Sequence, residues 1–151
     1  MANIGEICSR EVVIATRETT VTEAAKLMRQ HHVGSLVVVD QKNGGGGRPL
    51  GIVTDRDIVV EVTAMELNPA VITAGDIMGA ELVTAREDEG VLETMEIMRY
   101  KGVRRLPVVD SAGKLIGIVA IDDLLEILAE EMTELVKIVA REQAHEAQAR
   151  K

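Results

Sequence analysis

Aromatic side chains are almost missing from this chain: Tyr100 stands alone, with no Phe and no Trp. Val, Ile, Leu and Met must therefore build the core. Modes of nucleic-acid binding that stack bases on aromatic rings are excluded. Positive charge is also short. Lys and Arg number 17 against 25 Asp and Glu, a net charge of −8, which is the wrong sign for a generic phosphate-backbone binder. No segment approaches the ~20 uninterrupted apolar residues of a membrane-spanning helix. The opening "MANIGEICSREVV" lacks the basic start and long apolar stretch of a secretory signal. Cys8, the one cysteine, cannot form a disulfide within the chain. These absences lead to the expectation of a soluble cytoplasmic protein that binds neither nucleic acid nor membrane.

What is present is a repeat. The chain has 151 residues, 46% of them apolar, enough for one domain or two very small ones. Shifted against itself by 70 residues, the stretch 4–40 falls on 74–110, and 14 of 37 positions are identical, from Gly5/Gly75 to Asp40/Asp110. After Asp40 the offset drops to 66, because the first copy carries the extra turn residues "QKNGGGGRP". "LGIVTDRDI" then falls on "IGIVAIDDL". A register held this long is a duplication.

Each copy predicts the same elements. A short strand (11–16 or 81–85) precedes a helix (about 21–32 or 91–101), which Thr20-x-x-Glu23 opens in the first copy as a capping box. Two Val-rich strands follow, 35–40 and 50–54, then 105–110 and 115–120, and a last helix starts at Asp55 or Asp122. Continuous apolar strands predict sheets covered on both faces. A copy of about 65 residues buries little alone, so the two copies are expected to pack together.

This duplicated β-α-β-β-α unit resembles the CBS domain pair, the module named after cystathionine β-synthase. The resemblance runs from about residue 5 to about 130 and is carried by "GDIM" (75–78), "VRRLPVVD" (103–110) and the Gly-hydrophobic-x-Thr-x-x-Asp pattern at 51–57. It implies an α/β fold of two repeats packed sheet to sheet with pseudo-two-fold symmetry. Here an extended C-terminal helix is added. It also implies pairs that dimerise, and an adenosine compound (AMP, ADP, ATP or S-adenosylmethionine) held as a regulatory ligand in the clefts between repeats.

Two readings of Thr54-x-x-Asp57 stand side by side. In one, Thr54 and Asp57 only cap a helix start. In the other, a carboxylate at a helix start accepts the hydroxyls of a ribose, with Thr54 on the ribose or the adjoining phosphate. In the second copy Ala120 replaces the hydroxyl, Asp123 keeps the ribose partner, and Asp122 adds a charge that repels phosphate. Arg104 and Arg105, at the entrance of the Val strand, are either solvated charges or, as the resemblance implies, phosphate ligands. The matching Gly34 and Ser35 are uncharged, so a ligand on Asp57 needs cations from Arg56 or from Arg104 of the other repeat. Two unequal clefts are expected: Asp57 with the full motif, and Asp123 with Arg104 and Arg105. The resemblance places the base among aliphatic residues around Ile14, Val33, Thr84 and Val103, with Gly34 and Ser35 also lining the cleft. Taken alone, each of these apolar positions reads as core.

Other signals carry less. Gly44 to Gly47 lacks the Gly-Lys-Ser/Thr ending of a phosphate loop and joins two strands, so it reads as a hairpin tip. His31 and His32 diverge by about 100° on a helix and lack a third ligand, so no metal is expected. Cys8 falls opposite Met78, an apolar slot. No set of nucleophile and base suggests an enzyme. The stretch 122–151 has no Gly or Pro, overruns the repeat by about 20 residues and carries Leu125, Leu128, Met132, Leu135 and Val139 at 3,4 spacing. This seam either packs in cis or meets a second chain, and beyond Arg141 the polar end is expected to fray.

The organisation expected is a first repeat over 1–68, a second over 69–131 and a helical extension over 132–151. The expected role is a non-enzymatic regulatory sensor, at least a homodimer, that signals to an unidentified protein. Its rivals are a ligand-free homo-oligomeric interaction or scaffold protein and, behind that, an enzyme that hydrolyses a bound nucleotide.

Overall fold

The computed structural model describes residues 2–41 and 47–150. The elements follow the order α1 (Ile4–Ile7), β1 (Ile14–Ala15), α2 (Val21–His31), β2 (Ser35–Asp40), β3 (Arg48–Thr54) and α3 (Asp55–Ile58), which runs into a π-helical turn (Val59–Thr63). The second copy gives α4 (Ala74–Ile77), β4 (Ala85–Arg86), α5 (Val91–Lys101), β5 (Arg105–Val109), β6 (Leu115–Ala120) and α6 (Ile121–Ala149). The chain divides into two compact units, Met1–Val119 and Ala120–Lys151. Of the glycine run at 44–47, only Gly47 lies within the described residues.

The first unit holds two three-stranded sheets, ordered β1-β2-β3 and β4-β5-β6. β1 pairs parallel to β2, with Ala15 opposite Val38. β4 pairs parallel to β5 in the same register 70 residues on, with Ala85 opposite Val108. The central strands are covered on both faces, as continuous apolar runs require: Leu36, Val37, Val38 and Val39 are all buried, as are Leu106, Val108 and Val109.

The helices repeat too. Thr20 caps α2 by accepting from Glu23 N, while Glu23 Oε2 accepts from Thr20 N at 3.1 Å. Val21, Ala24 and Met28 are buried along α2, and Val91, Thr94 and Met98 occupy the same positions of α5. Both helices end on a left-handed residue, His32 (φ 54°) and Gly102 (φ 66°).

The paired strands β1 and β4 are shorter than the expected 11–16 and 81–85. Ser9, just ahead of the first of these stretches, exchanges two hydrogen bonds of 2.9 Å with Ile118 of the other sheet, while Val13 O still accepts from Val37 N of β2 at 3.1 Å. The helix of α6 continues to Ala149, past the expected fraying point at Arg141. Its second half has no Gly or Pro, and ion pairs Lys137–Glu134, in mid-helix, and Arg150–Glu146, at its end, each 2.9 Å, support it.

The two repeats dock by exchanging the same contacts. Gly5 N donates to Glu87 O (2.8 Å) and Ile4 N to Glu89 O (2.9 Å). Seventy residues on, Gly75 N donates to Arg17 O (3.0 Å) and Ala74 N to Thr19 O (2.7 Å). The approach explains why both copies have glycine: a Cβ would come within 3.0 Å of Glu87 O at Gly5 and 2.9 Å of Arg17 O at Gly75. Gly51 faces Met78, and Gly117 faces Cys8, so the duplication holds down to single contacts.

Candidate functional site

β3 runs out at Thr54, and the chain turns into α3 through a full capping box. Asp57 N donates to Thr54 Oγ1 at 3.1 Å, and Thr54 N donates to Asp57 Oδ2 at 2.8 Å. Asp55 N donates to Gly34 O at 2.9 Å, which fixes the turn against the start of β2. Asp55 Oδ1 accepts from Arg56 N at 2.8 Å. The capping reading of Thr-x-x-Asp is thus realised. It uses one carboxylate oxygen, while Oδ1 of Asp57 meets no protein donor among the described residues. In α6 only half the box exists: Asp123 Oδ2 accepts from Ala120 N at 2.8 Å, and Ala120 has no hydroxyl to return the bond.

The β3–α3 turn forms one wall of a cleft of about 470 Å³. The opposite wall comes from the second repeat: Gly79 and Glu81 to Val83 ahead of β4, and Gly102 to Leu106, where α5 passes into β5. Gly102 makes this exit possible. Its positive φ ends the helix, Val103 N then donates back to Met98 O at 3.1 Å, and the chain delivers Arg104 and Arg105 to the cleft.

Thr54, Arg56, Asp57, Val103, Arg104 and Arg105 are therefore brought together. Arg56 and Arg104 thus stand in one lining with Asp57, as the lack of charge at Gly34 and Ser35 predicts, and Arg105, which was expected beside Asp123, lines the same cleft. The turn from α5 into β5 of the second repeat faces the end of β3 in the first. Ile14, Val33, Gly34, Ser35 and Thr84 lie outside this lining, and Asp122 and Asp123 belong to the second unit. Val33 packs against the core of the first repeat. Val83 lines the cleft in place of Thr84, because strand pairing starts only at Ala85 and no pleat alternation sets the preceding residues. Sequence reasoning missed Ile52, Asp55, Glu81 and Leu82. Ile52 was within reach: two residues before Thr54 on a strand, it shares that side chain's face.

The cleft holds three carboxylates (Asp55, Asp57, Glu81) and three guanidinium groups (Arg56, Arg104, Arg105). Glu81 is paired with Lys101, and its hydrogen bond and charge raise the Lys101 ammonium above its ordinary 10.5. Among the described residues, no carboxylate lies within ion-pairing distance of Arg56, Arg104 or Arg105. The site thus combines a carboxylate with an open oxygen, three uncommitted cations and an aliphatic surface from Ile52, Leu82, Val83 and Val103. Among the described residues, no group of three or more His, Cys, Asp or Glu side chains is placed to hold a metal ion. No helix among them is long and apolar enough to cross a membrane.

Comparison with known proteins agrees with this architecture. The CBS domain matches twice, over residues 4–64 and 74–130. The chain is similar to the uncharacterized protein MK0525 of Methanopyrus kandleri, with 42% identity over 125 residues; the match covers 83% of this chain and 62% of that protein's length. It is similar to hypoxic response protein 1 of Mycobacterium tuberculosis, 31% identical over 140 residues that cover 92% of this chain and 94% of that protein. A crystal structure of hypoxic response protein I with two coordinated zinc ions superposes with a TM-score of 0.73 at 30% identity, covering 83% of this chain and 98% of that one. The CBS domain pair of protein MJ0100, crystallised with 5′-methylthioadenosine and S-adenosylmethionine, superposes with a TM-score of 0.72 at 28% identity, covering 84% and 99%. The chain belongs to the CBS domain family and carries two copies of the domain.

Proposed function

We propose that the protein is a regulatory sensor that binds a phosphorylated adenosine ligand in the Asp57 cleft. Its ligand state is read by a second copy of the chain or by a regulated protein, with no chemical step. The module comprises the repeats at 1–68 and 69–131, and 132–151 extends from it. The observation that carries this reading is the convergence, from two repeats, of Asp57 with Arg104 and Arg105. The open oxygen of Asp57 accepts from a ribose hydroxyl, and Thr54 keeps the carboxylate in place through the cap. The arginines, with Arg56 beside them, take the phosphate through forked donors that need no rearrangement of an existing ion pair. The base lies among Ile52, Leu82, Val83 and Val103, and backbone N–H and C=O groups read its edge. S-Adenosylmethionine suits the ribose and base positions but brings its sulfonium toward the arginines, so AMP, ADP or ATP is favoured over it.

Native mass spectrometry of the purified chain, followed by calorimetry with AMP, ATP and S-adenosylmethionine, tests the reading. An adenine nucleotide should bind more tightly than about 1 mM, roughly −4 kcal/mol. Its affinity should fall as salt is raised. If none of the three reaches that affinity, the carboxylate only caps its helix and the protein is a ligand-free homo-oligomeric scaffold.

A further inference from the structure

Glu81 lines the Asp57 cleft, and binding of ribose and phosphate gives it nothing to do. The three carboxylates of the cleft divide by wall. Asp55 and Asp57 belong to the β3–α3 turn, with Arg56 between them. Glu81 comes from the opposite wall, directly ahead of Leu82 and Val83, which line the cleft with it. These two, with Ile52 and Val103, form the aliphatic surface of the site.

The Glu81 carboxylate is held in place. Its Oε1 accepts from Lys101 Nζ, at the last residue of α5, two residues before Val103. Lys101 is not among the residues lining the cleft, so the tether takes none of its space. Among the described residues, Oε2 of Glu81 meets no protein donor. A tethered carboxylate with an open oxygen repels a phosphate and attracts a hydrogen-bond donor. On a purine, the 6-position decides between the two cases. Adenine presents an amino group there, a donor, while guanine and hypoxanthine present a carbonyl, an acceptor.

We propose that Glu81 determines the base specificity of the cleft. Its Oε2 accepts from the 6-amino group of the bound purine, and the same oxygen turns away a 6-oxo purine, whose lone pairs would face the carboxylate. Lys101 is the positioning residue that keeps Glu81 beside the base. This assignment rests on the nucleotide reading above and adds the side chain that selects the base. The Glu81 side chain is 67% exposed, so water competes for it. The discrimination is therefore about tenfold, well short of the roughly ten-thousand-fold that a buried polar site reaches.

Calorimetry with AMP and inosine 5′-monophosphate on the full chain tests the assignment, because the two nucleotides differ at the 6-position and in the proton on N1 that goes with it. The unmutated chain should bind AMP about tenfold more tightly. Glu81→Gln keeps the shape of the side chain, but its amide donates as well as accepts, so the preference should shrink to within about twofold. Loss of a negative charge also favours any phosphate, but it favours both nucleotides alike and leaves their ratio unmoved. Glu96→Gln, exposed on α5 and outside the cleft lining, should keep the unmutated ratio. Lys101→Met frees Glu81 and should give an intermediate ratio, and Lys101→Arg, which can restore the tether, should bring the ratio back. Equal binding of the two nucleotides by the unmutated chain, or a preference for AMP that survives Glu81→Gln, overturns the assignment and leaves the sensor reading standing. A ratio unmoved by Lys101→Met refutes the positioning role of Lys101. Binding of neither nucleotide more tightly than about 1 mM overturns the sensor reading, and the assignment falls with it.

Discussion

Asp57 and Thr54 hold each other in one capping box, in which Asp57 keeps one carboxylate oxygen unbonded while the Thr54 hydroxyl already accepts from Asp57 N, so two variants separate the roles. Thr54→Val deletes the acceptor for Asp57 N (3.1 Å), and Asp57→Ala deletes the acceptor for Thr54 N (2.8 Å). Each removes one of two cap bonds, at a cost of about 0.5–2 kcal/mol. For a chain of this size, a loss near 1 kcal/mol lowers Tm by about 2–4 °C. Neither should prevent folding, because α6 begins with half a box, Asp123 on Ala120 N at 2.8 Å. Affinity is where they part. Asp57→Ala loses hydrogen bonds between a charged carboxylate and ribose hydroxyls, about 1.5–3 kcal/mol each. With water refilling part of the gap, a loss of about a hundred-fold in AMP affinity is expected, at 1.4 kcal/mol per tenfold. Thr54→Val leaves the carboxylate present and should change affinity by less than about threefold. Urea unfolding and calorimetry on the same preparations read both quantities. If the two variants lose stability alike and keep wild-type affinity alike, the carboxylate does nothing but cap, and the ribose assignment is wrong.

Further expectations rest on other contacts. Arg105→Ala should weaken ATP by about tenfold or more while sparing adenosine, and it should flatten the salt dependence of ATP binding, as calorimetry at two ionic strengths reads. Gly117→Ala should destabilise by about 1–2 kcal/mol, since overpacking outweighs the usual gain from replacing glycine. Its Cβ would sit 2.7 Å from both Cys8 Sγ and Ser9 O, whereas Gly51→Ala meets the flexible Met78 side chain at 3.1 Å and should be near neutral in urea unfolding. The Lys101–Glu81 pair raises the Lys101 pKa, so its contribution is complete below Lys101's ordinary 10.5 and is lost as pH rises through the raised value. Lys101→Gln and the unmutated chain should therefore differ slightly in stability at neutral pH and converge at strongly alkaline pH.

The sequence alone carried the architecture, because the information was periodic and local. Paired runs 70 residues apart identified the duplication, and alternation and helical spacing located most elements. Thr20-x-x-Glu23 and Thr54-x-x-Asp57 announced capping boxes that form as written. Glycine identity at 5 and 75 was visible in the text, but its reason was not: each glycine lies under a backbone carbonyl of the other repeat, a contact between residues some 60–80 positions apart. Partnership across the cleft was half legible. Gly34 and Ser35 carry no charge, which pointed a ligand on Asp57 to Arg56 or to Arg104 of the other repeat, but only the tertiary structure lines one cleft with Arg104, Arg105 and Asp57. Val83, and not Thr84, lines the cleft, since side-chain direction ahead of a two-residue strand is set by tertiary packing and not by alternation. Propensity and the 3,4 spacing marked α6 as a helix with an apolar seam, while the structure decided that it stays helical to Ala149 with that seam uncovered. Short-range patterns are fixed by backbone sterics and by the period of burial. Which distant surfaces meet depends on how two folded repeats fit together, and no window of sequence contains that.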